Sequence, residues 1–394
     1  MDKNRRRNVS EIIMKKIKII CAMSGGIDSS VAAAILKKIG LISGQVRYGV
    51  NFDVIGVFMR FWPPNFGQTE FTTGKSKNNL ANKCCSQEAE NGARKVAKIL
   101  KIPFYVFNFE KEFKKRIVDF LLKEYKAGRT PNPCVVCNKI IKFGLLLEKA
   151  LQLEADYVAT GHYARLKQEI PDAKCQIPKY KLLRAKDKNK DQSYFLWQLN
   201  QEQLRRILFP IGDYSKKEVR QLAKKFKLPV LKIPESMEIC FVSTTINDFL
   251  KRHLKTNPGK IVTVKGKEIG QHQGLWFYTL GQRKGIGVSG GPYWVLDKDL
   301  NKNTLIVTKN EKDLSKKRLT ARDVNWISGV QPKLPLEIKA KIRYQHQPAT
   351  AVITKKKNSK NYLITFARAQ RAITPGQSVV FYKNEVLLGG GIIG

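Results

Sequence analysis

Three stretches of this chain carry residue types at spacings suited to chemistry. The first is Ser24-Gly25-Gly26-Ile27-Asp28-Ser29-Ser30. The apolar, β-branched run at 17–23 has the composition and length of a buried strand, and it stops at the glycine pair. Asp28, Ser29 and Ser30 are good first-turn residues, and 31–36 continue a helix. A strand, two glycines and a hydroxyl-rich helix start together present backbone N–H groups to a phosphate, because glycine permits close approach and the helix N-terminus favours an anion. The pattern has neither the lysine of GxxxxGK[ST] nor the spacing of GxGxxG, which sets aside P-loop triphosphatase and dinucleotide readings. A nucleotide remains as the ligand; the plain alternative is a turn between a strand and a helix.

The second stretch is Cys134-Val135-Val136-Cys137, within GRTPNPCVVCNKIIKFG at 128–144. Its two prolines force an extended entry and let a helix begin only after Pro133, so both thiols fall in or just before the first turn. There the helix dipole and the neighbouring Lys139 and Lys142 favour thiolate. The spacing is of zinc type, but a structural zinc site takes four ligands, usually as two such pairs, and only one pair exists. The other cysteines are Cys21 in a strand, Cys84 and Cys85 in a loop, Cys175 in an insertion, and Cys240. A thioredoxin-like role would put the pair after the first strand of its fold, which is not the case. One or both thiols then act as nucleophile with a distant partner. The best candidate is Cys240, beside Glu235 and Glu238; the alternative is an inert buried thiol.

The third is Gly161-His162-Tyr163, at the end of a strand over 156–160. A histidine just past a strand's carboxyl end sits where an α/β sheet binds its ligand, although a satisfied core histidine looks the same in sequence. Two further motifs stay open. DQSYFLW at 191–197 suits either an RNA surface or an amphipathic helix with a buried aromatic face. GQRKGIG at 281–287 suits either a hairpin turn or a phosphate backbone. Arg343-Tyr344 reads as part of a β strand and is too common a pair to argue from alone.

The elements that must position these residues alternate. Strands are expected over 53–60 and 104–109, helices over Gln87–Leu100, 110–126 and 215–226. The last has Ser215 and Glu218 as a capping box. This spacing implies a doubly wound α/β parallel sheet that binds ligands at the carboxyl ends of its strands. Residues 66–83 read as a surface loop, 166–180 as an insertion without clear period, and 229–236 as a linker. From 260 onwards, period-two alternation between glycine turns implies small antiparallel β domains.

The totals bound the partner. The 394 residues have room for two or three domains, and 42% hydrophobic composition supports ordinary cores. Lys+Arg 73 against Asp+Glu 32 leaves +41, a field that draws polyanions, nucleic acid first among them. Part of that excess reads as compositional enrichment in lysine. No apolar run approaches the roughly 18 to 20 residues that span a bilayer. The arginines at 5–7 precede an apolar run too short for a signal peptide, so a cytoplasmic location without membrane partner is expected. Seven cysteines, an odd number, argue for reduced thiols. Met14 heads MKKIKII as a start would, which makes the first thirteen residues an extension.

Taken in order, these segments resemble the tRNA-specific 2-thiouridylases, members of the PP-loop ATP pyrophosphatases whose signature is SGGxDS. The resemblance runs from Lys16 to the terminal LGGGIIG. It rests on SGGIDSS, TPNPCVVCNKIIKFG, TGHYAR, KDQSYFLW, EICFV, PGKIVTVKGKEIGQHQGL, YTLGQRKGIGV and TPGQSVVFY. It implies a PP-loop (adenine-nucleotide α-hydrolase) catalytic domain at 1–234, a small central β domain at 235–295 and a C-terminal antiparallel β-barrel at 296–394. The implied activity is ATP-dependent 2-thiolation of the wobble uridine of tRNA, by adenylation of the C2 oxygen and sulfur transfer from a cysteine persulfide.

The resemblance also assigns residues. ATP, with Mg²⁺, falls to Ala22, Met23, Ser24, Gly25, Gly26, Ile27, Asp28, Ser29, Met59 and Gly161. Cys137 matches the nucleophile and Cys240 the persulfide carrier, a pair able to form a disulfide. Contacts to tRNA fall to Asn132, Pro133 and Cys134 at the target base, to Lys190, Asp191 and Gln192, and to Arg343 and Tyr344. His162 and Gln377 lie near the site, and a separate protein donates the persulfide sulfur. Some family members have Asp where this chain has Cys134, so an acid–base role at that position has no counterpart here. Cys134, Cys137 and Cys240 as ligands of an iron–sulfur cluster stand second to the persulfide route. Two rivals remain: a PP-loop ligase amidating a small acid, which needs no separated thiols, and a non-enzymatic RNA binder with a relict nucleotide site.

Overall fold

A computed structural model describes residues 16–38, 52–61, 86–169, 179–231, 239–242 and 245–394. The extension at 1–13, the surface loop at 66–83, Cys84, Cys85, Cys175, Glu235 and Glu238 lie outside the described residues. The chain opens with β1 (Ile17–Ala22), α1 (Ile27–Lys38), β2 (Phe52–Arg60), α2 (Gln87–Leu100), β3 (Phe104–Asn108) and two longer helices, α3 (110–126) and α4 (133–152). Next come β4 (Tyr157–Ala159), a hairpin of β5 (Ala164–Glu169) and β6 (Lys179–Arg184), β7 (Ile207–Leu208) and α5 (Lys216–Lys225). Strands β3-β2-β1-β4-β7 form one sheet, parallel at every pairing. Ile19, Ile20, Cys21 and Ala22 are buried consecutively, the pattern of a strand covered on both faces. The doubly wound α/β sheet expected from sequence is therefore present.

Helix α2 spans the residues its periodicity marks, capped by Ser86, which accepts from Ala89 N, with Ala93, Val96 and Ala97 on its buried face. The Ser215–Glu218 capping box opens α5. Helices α3 and α4 are not uniform. Lys114–Val118 and Asn138–Leu145 run as wide π-type turns, which a 3.6-residue periodicity does not reveal.

Helix α6 (Ile246–His253) leads to the second sheet, β10 (Trp294–Asp299), β11 (Thr304–Thr308), β8 (Gly259–Thr263) and β9 (Glu268–His272) in that order. Its β11–β8 pairing is parallel, so the expectation of purely antiparallel β domains fails at this pair. The chain reaches β11 from β8 by way of β9 and β10, a crossover long enough for a parallel return.

Six strands close the C-terminal barrel: β12 (Ser315–Trp326), β13 (Leu336–Lys341), β14 (Ala349–Lys355), β15 (Tyr362–Arg371), β16 (Ser378–Lys383) and β17 (Val386–Ile393). All their pairings are antiparallel, and β12 bonds to both β15 and β17. The stretch read as a periodless insertion is in fact the β5–β6 hairpin, except for its tip outside the described residues. It extends the barrel sheet through Val386–Leu183 and Leu387–Leu182. One buried cluster continues across this joint, with Val135 and Phe143 of α4, Tyr194 and Trp197, and Val380, Tyr382 and Leu387 of the barrel. Trp197 Nε1 donates to Ser378 Oγ at 3.0 Å, and Tyr194 OH to Ser378 O at 3.0 Å. The barrel is thus packed onto the catalytic sheet, which fixes the loops between them.

Candidate active site

The glycine loop leaves β1 at the carboxyl edge of the sheet. Met23 N donates to Val57 O at 2.8 Å, holding the exit of β1 beside β2. Gly25 has φ +81°, and a Cβ there would come within 2.3 Å of Ala89 O, so α2 packs directly onto the loop. Gly26 is different: a Cβ would meet only Ser24 Oγ, at 3.7 Å. Ser24 N donates to Ser29 Oγ at 3.1 Å, and Ser29 and Ser30 hydroxyls donate to Gly26 O at 3.1 and 2.8 Å. These bonds lock the turn, while the first-turn N–H groups of Ile27, Asp28 and Ser29 have no intrahelical acceptor and stand at the positive end of the α1 dipole.

Neighbouring strands complete the edge. Met59 lies two residues beyond Val57, which pairs with Ala22. Gly161 lies two residues beyond Ala159, which pairs with Cys21. A Cβ at Gly161 would approach Ser29 N to 2.6 Å, so the β4 exit and the start of α1 touch backbone to backbone. All ten expected nucleotide positions therefore gather at one edge, the place where open α/β sheets bind ligands.

Two side chains set the surroundings of Asp28, and Lys216 is unmarked by the sequence. Lys216 Nζ donates to both Asp28 oxygens, at 2.7 and 2.9 Å, and Tyr163 OH donates to Asp28 Oδ1 at 2.8 Å. The capping box located the start of α5, but nothing in the sequence aims Lys216 at Asp28. The pair neutralises a carboxylate that would otherwise repel phosphate. Asp28 is so engaged, and among the described residues no group of three or more His, Cys, Asp or Glu side chains is placed to hold a metal ion. Cys134, Cys137 and Cys240 form no such group among the described residues.

His162 is 8% exposed and flanked by the Phe143 and Phe209 rings, with Nδ1 2.7 Å from Thr160 Oγ1. Burial, aided by Lys142, holds its pKa well below the usual histidine range, so the imidazole is neutral. It can offer a phosphate a neutral hydrogen bond, not a positive charge.

The thiol helix begins as its prolines require, with Pro133 in the first turn and Asn132 before it. Cys137 is 6% exposed and belongs to a buried cluster with Ala22 at the base of the glycine loop; Met59, Ile239 and Cys240 pack against that cluster. None of the described cysteines is in a disulfide. Burial pushes the Cys21 thiol up to about 12, which removes it as a nucleophile.

The loop before this helix is held by the barrel. Gln377 Nε2 donates to Thr130 O at 2.8 Å and Pro131 O at 3.3 Å, and Thr130 N donates to Pro375 O at 2.9 Å. Gln377 thus reaches the site through the loop that carries Asn132, Pro133 and Cys134.

Several expected tRNA contacts turn inward. Asp191 is 2% exposed, and its carboxylate accepts from Arg184 Nε at 2.9 Å and from Ala185 N and Ser193 N. Gln192 Oε1 accepts from Tyr163 N at 3.0 Å, and Lys190 is half-buried. Arg343 and Tyr344 lie in the bend after β13, not in a strand. Arg343 Nη2 donates to Ala372 O at 2.6 Å and Thr374 Oγ1 at 2.8 Å; Tyr344 packs on Phe195 with centroids 4.5 Å apart. In DQSYFLW the buried face accounts for Tyr194, Leu196 and Trp197. Among the described residues no helix is long and apolar enough to cross a membrane.

Comparison with known proteins finds three family matches along the chain, the second of which, like the sheet of β8–β11, runs past the boundary at 295 expected from sequence. The tRNA methyl transferase HUP domain matches residues 17–244, the tRNA methyl transferase PRC-barrel domain 247–309 and the aminomethyltransferase beta-barrel domain 316–393. The tRNA-specific 2-thiouridylase MnmA of Caldicellulosiruptor saccharolyticus is 44% identical over 96% of this chain and 99% of its own. That of Clostridium perfringens is 42% identical over the same shares. The tRNA-specific 2-thiouridylase MnmA 2 of a Thermoanaerobacter species is 45% identical over 95% of this chain and 97% of its own. On full-length likeness of this degree, with PP-loop, paired thiols and barrel all in place, the chain belongs to the tRNA-specific 2-thiouridylase family.

Proposed function

We propose that this enzyme thiolates C2 of the wobble uridine of tRNA in two stages, using ATP at the glycine loop and sulfur from the two separated thiols. What supports the reading is that two separated thiols accompany the glycine loop: Cys137 lies in the same buried core as Ala22 at the base of the loop, and Cys240 packs against that core. A PP-loop ligase has no use for the two thiols.

The chemistry needs activation first, because the C2 oxygen is a very poor leaving group. In the first stage it attacks the α-phosphorus, the α–β anhydride bond breaks, and pyrophosphate departs with C2 left bearing AMP. Backbone N–H groups of 25–29 and the α1 dipole stabilise the charge that grows on the leaving phosphates, and the Lys216–Asp28 pair keeps the loop free of an opposing carboxylate.

In the second stage the terminal sulfur of a Cys240 persulfide, loaded by a donor protein, attacks C2. The C2–O bond breaks and AMP leaves. The Cys137 thiolate then attacks the inner sulfur of Cys240, freeing the thiocarbonyl and forming a Cys137–Cys240 disulfide, which a cellular thiol reduces. Since Cys137 is buried, the uridine is extruded from the anticodon loop to reach it, at a cost of a few kcal/mol that stacking and phosphate contacts offset. Asn132, Pro133 and Cys134 border its entry, on a loop braced by Gln377.

The test is AMP release from ATP on addition of tRNA. The reading expects AMP that depends on tRNA, persists in Cys137→Ser, and is accompanied by sulfur incorporation only when both thiols are intact. A Cys137→Ser enzyme that still thiolates would overturn the role given to Cys137, and AMP release that does not depend on tRNA would favour the ligase-type rival.

A further inference from the structure

The GQRKGIG segment plays no part in the site described above, yet it encloses a cavity of about 460 Å³ lined by residues 283–288 and 291–293. No acidic side chain is among them. Arg283 and Lys284 are exposed at its rim, and Arg283 lies over the Trp294 ring, 5.7 Å from the centroid. Lys309, also exposed, lies 5.3 Å from the centroid of Tyr293, which lines the cavity. Two cations thus line the hollow and a third, Lys309, lies beside it on the Tyr293 ring; Arg283 and Lys309 rest on aromatic faces that limit their freedom.

The base of the segment is rigid. Gln282 accepts from Thr279 N at 3.0 Å and donates to Lys284 O at 2.9 Å, while Gly281 N donates to Val295 O of β10 and Val295 N donates back to Gln282 O. Gly285 and Gly287, at φ +74° and +79°, let the chain fold back where a side chain would strain it. The segment also touches the entrance to the thiol helix. Thr279 Oγ1 is 3.3 Å from Thr130 Oγ1, and Arg343 and Arg371 donate to Leu280 O and Gly281 O.

We propose that this cavity is a phosphodiester clamp for the RNA strand flanking the nucleotide presented to Cys137, gripping backbone phosphates with Arg283, Lys284 and Lys309 and reading no base. The inference rests on the proposed function, which supplies RNA as the substrate. A polyanion fits a hollow whose lining holds Arg283 and Lys284 and no carboxylate, with Lys309 beside it. Base stacking does not, because the one aromatic side chain in the lining, Tyr293, is buried.

The experiment compares full-length wild type, R283A/K284A, and a charge-matched control, K356A/K357A, on the exposed β14–β15 turn. Affinity for tRNA is measured against KCl concentration, alongside ATP affinity and thermal midpoint. The clamp predicts that R283A/K284A alone loses about tenfold or more in tRNA affinity and flattens the log–log salt slope by about 1 to 2. ATP affinity and midpoint stay at wild-type values. Anticodon stem-loops with U or C at the wobble position should lose equally. Equal behaviour of the two double variants overturns the clamp while leaving thiolation standing. A fall in ATP affinity instead would make the cavity a nucleotide site and also overturn it. Wild type that binds no tRNA at any salt overturns both readings.

Discussion

Two alanine substitutions at the ATP edge separate scaffold from ligand space. At Gly161 a Cβ would stand 2.6 Å from Ser29 N and 2.8 Å from Asp28 C, both backbone atoms, so the new methyl must push the β4 exit away from the start of α1 by most of an ångström. Overpacking of this kind costs about 1–3 kcal/mol. At Gly26 the Cβ meets only Ser24 Oγ at 3.7 Å, and the backbone is not left-handed, so the fold should accept alanine within about 1 kcal/mol. If the space above Gly26 belongs to a phosphate, the same methyl should exclude it. The expected result is that Gly161→Ala lowers both the chemical denaturation midpoint and ATP affinity, whereas Gly26→Ala leaves the midpoint near wild type and weakens ATP by about tenfold or more, a loss of about 1.4 kcal/mol. Isothermal titration of ATP beside urea unfolding reads both quantities. Gly26→Ala binding ATP as wild type does would refute the assignment of that space.

Further expectations concern the groups around this edge. Lys216→Met removes one partner of a largely buried pair whose Asp28 side chain is 32% exposed. A loss of about 1–3 kcal/mol in stability and a marked fall in ATP affinity should follow, with Lys216→Arg restoring part of both; unchanged ATP affinity would show that the pair does not serve the loop. Gln377→Ala frees the Thr130–Pro131 carbonyls, so thiolation should fall by about tenfold while ATP binding holds, measured as thiolation rate at saturating ATP. Burial pulls the Lys298 ammonium down to about 8 from the usual 10.5. Because the folded value lies below the unfolded one, the unfolded chain binds more protons between these pH values, and stability rises with pH across that window. Urea midpoints at pH 7.5 and 9.5 should show that rise in wild type and lose its Lys298 part in Lys298→Met; identical pH slopes would contradict it.

The glycine loop and the start of the thiol helix were legible because their determinants are local. A β-branched run ending in two glycines, or a helix that cannot begin before Pro133, is decided within a few residues. What could not be read depends on distant partners. Asp191 looked available to RNA until Arg184 and two backbone N–H groups claimed its carboxylate. His162 sits after a strand as expected, but Phe143 and Phe209, which make it neutral, come from 19 residues before it and 47 after it. The β5–β6 hairpin carries no clear alternation of its own, since its register is set by Val386 and Leu387 of the barrel. The wide turn from Asn138 leaves Asn138 Oδ1 buried without a partner while Nδ2 holds Phe195 O, a local irregularity that no residue pattern announces.

The most direct measurement is mass analysis of the wobble nucleoside after tRNA is incubated with the full-length enzyme, ATP and a persulfide donor, with AMP counted in the same reaction. Two-stage chemistry at one shared crevice predicts replacement of one oxygen by one sulfur at C2 with one AMP per conversion, and AMP without sulfur when Cys240→Ser is used. Sulfur incorporation in the absence of ATP, or full conversion by Cys240→Ser, would contradict it.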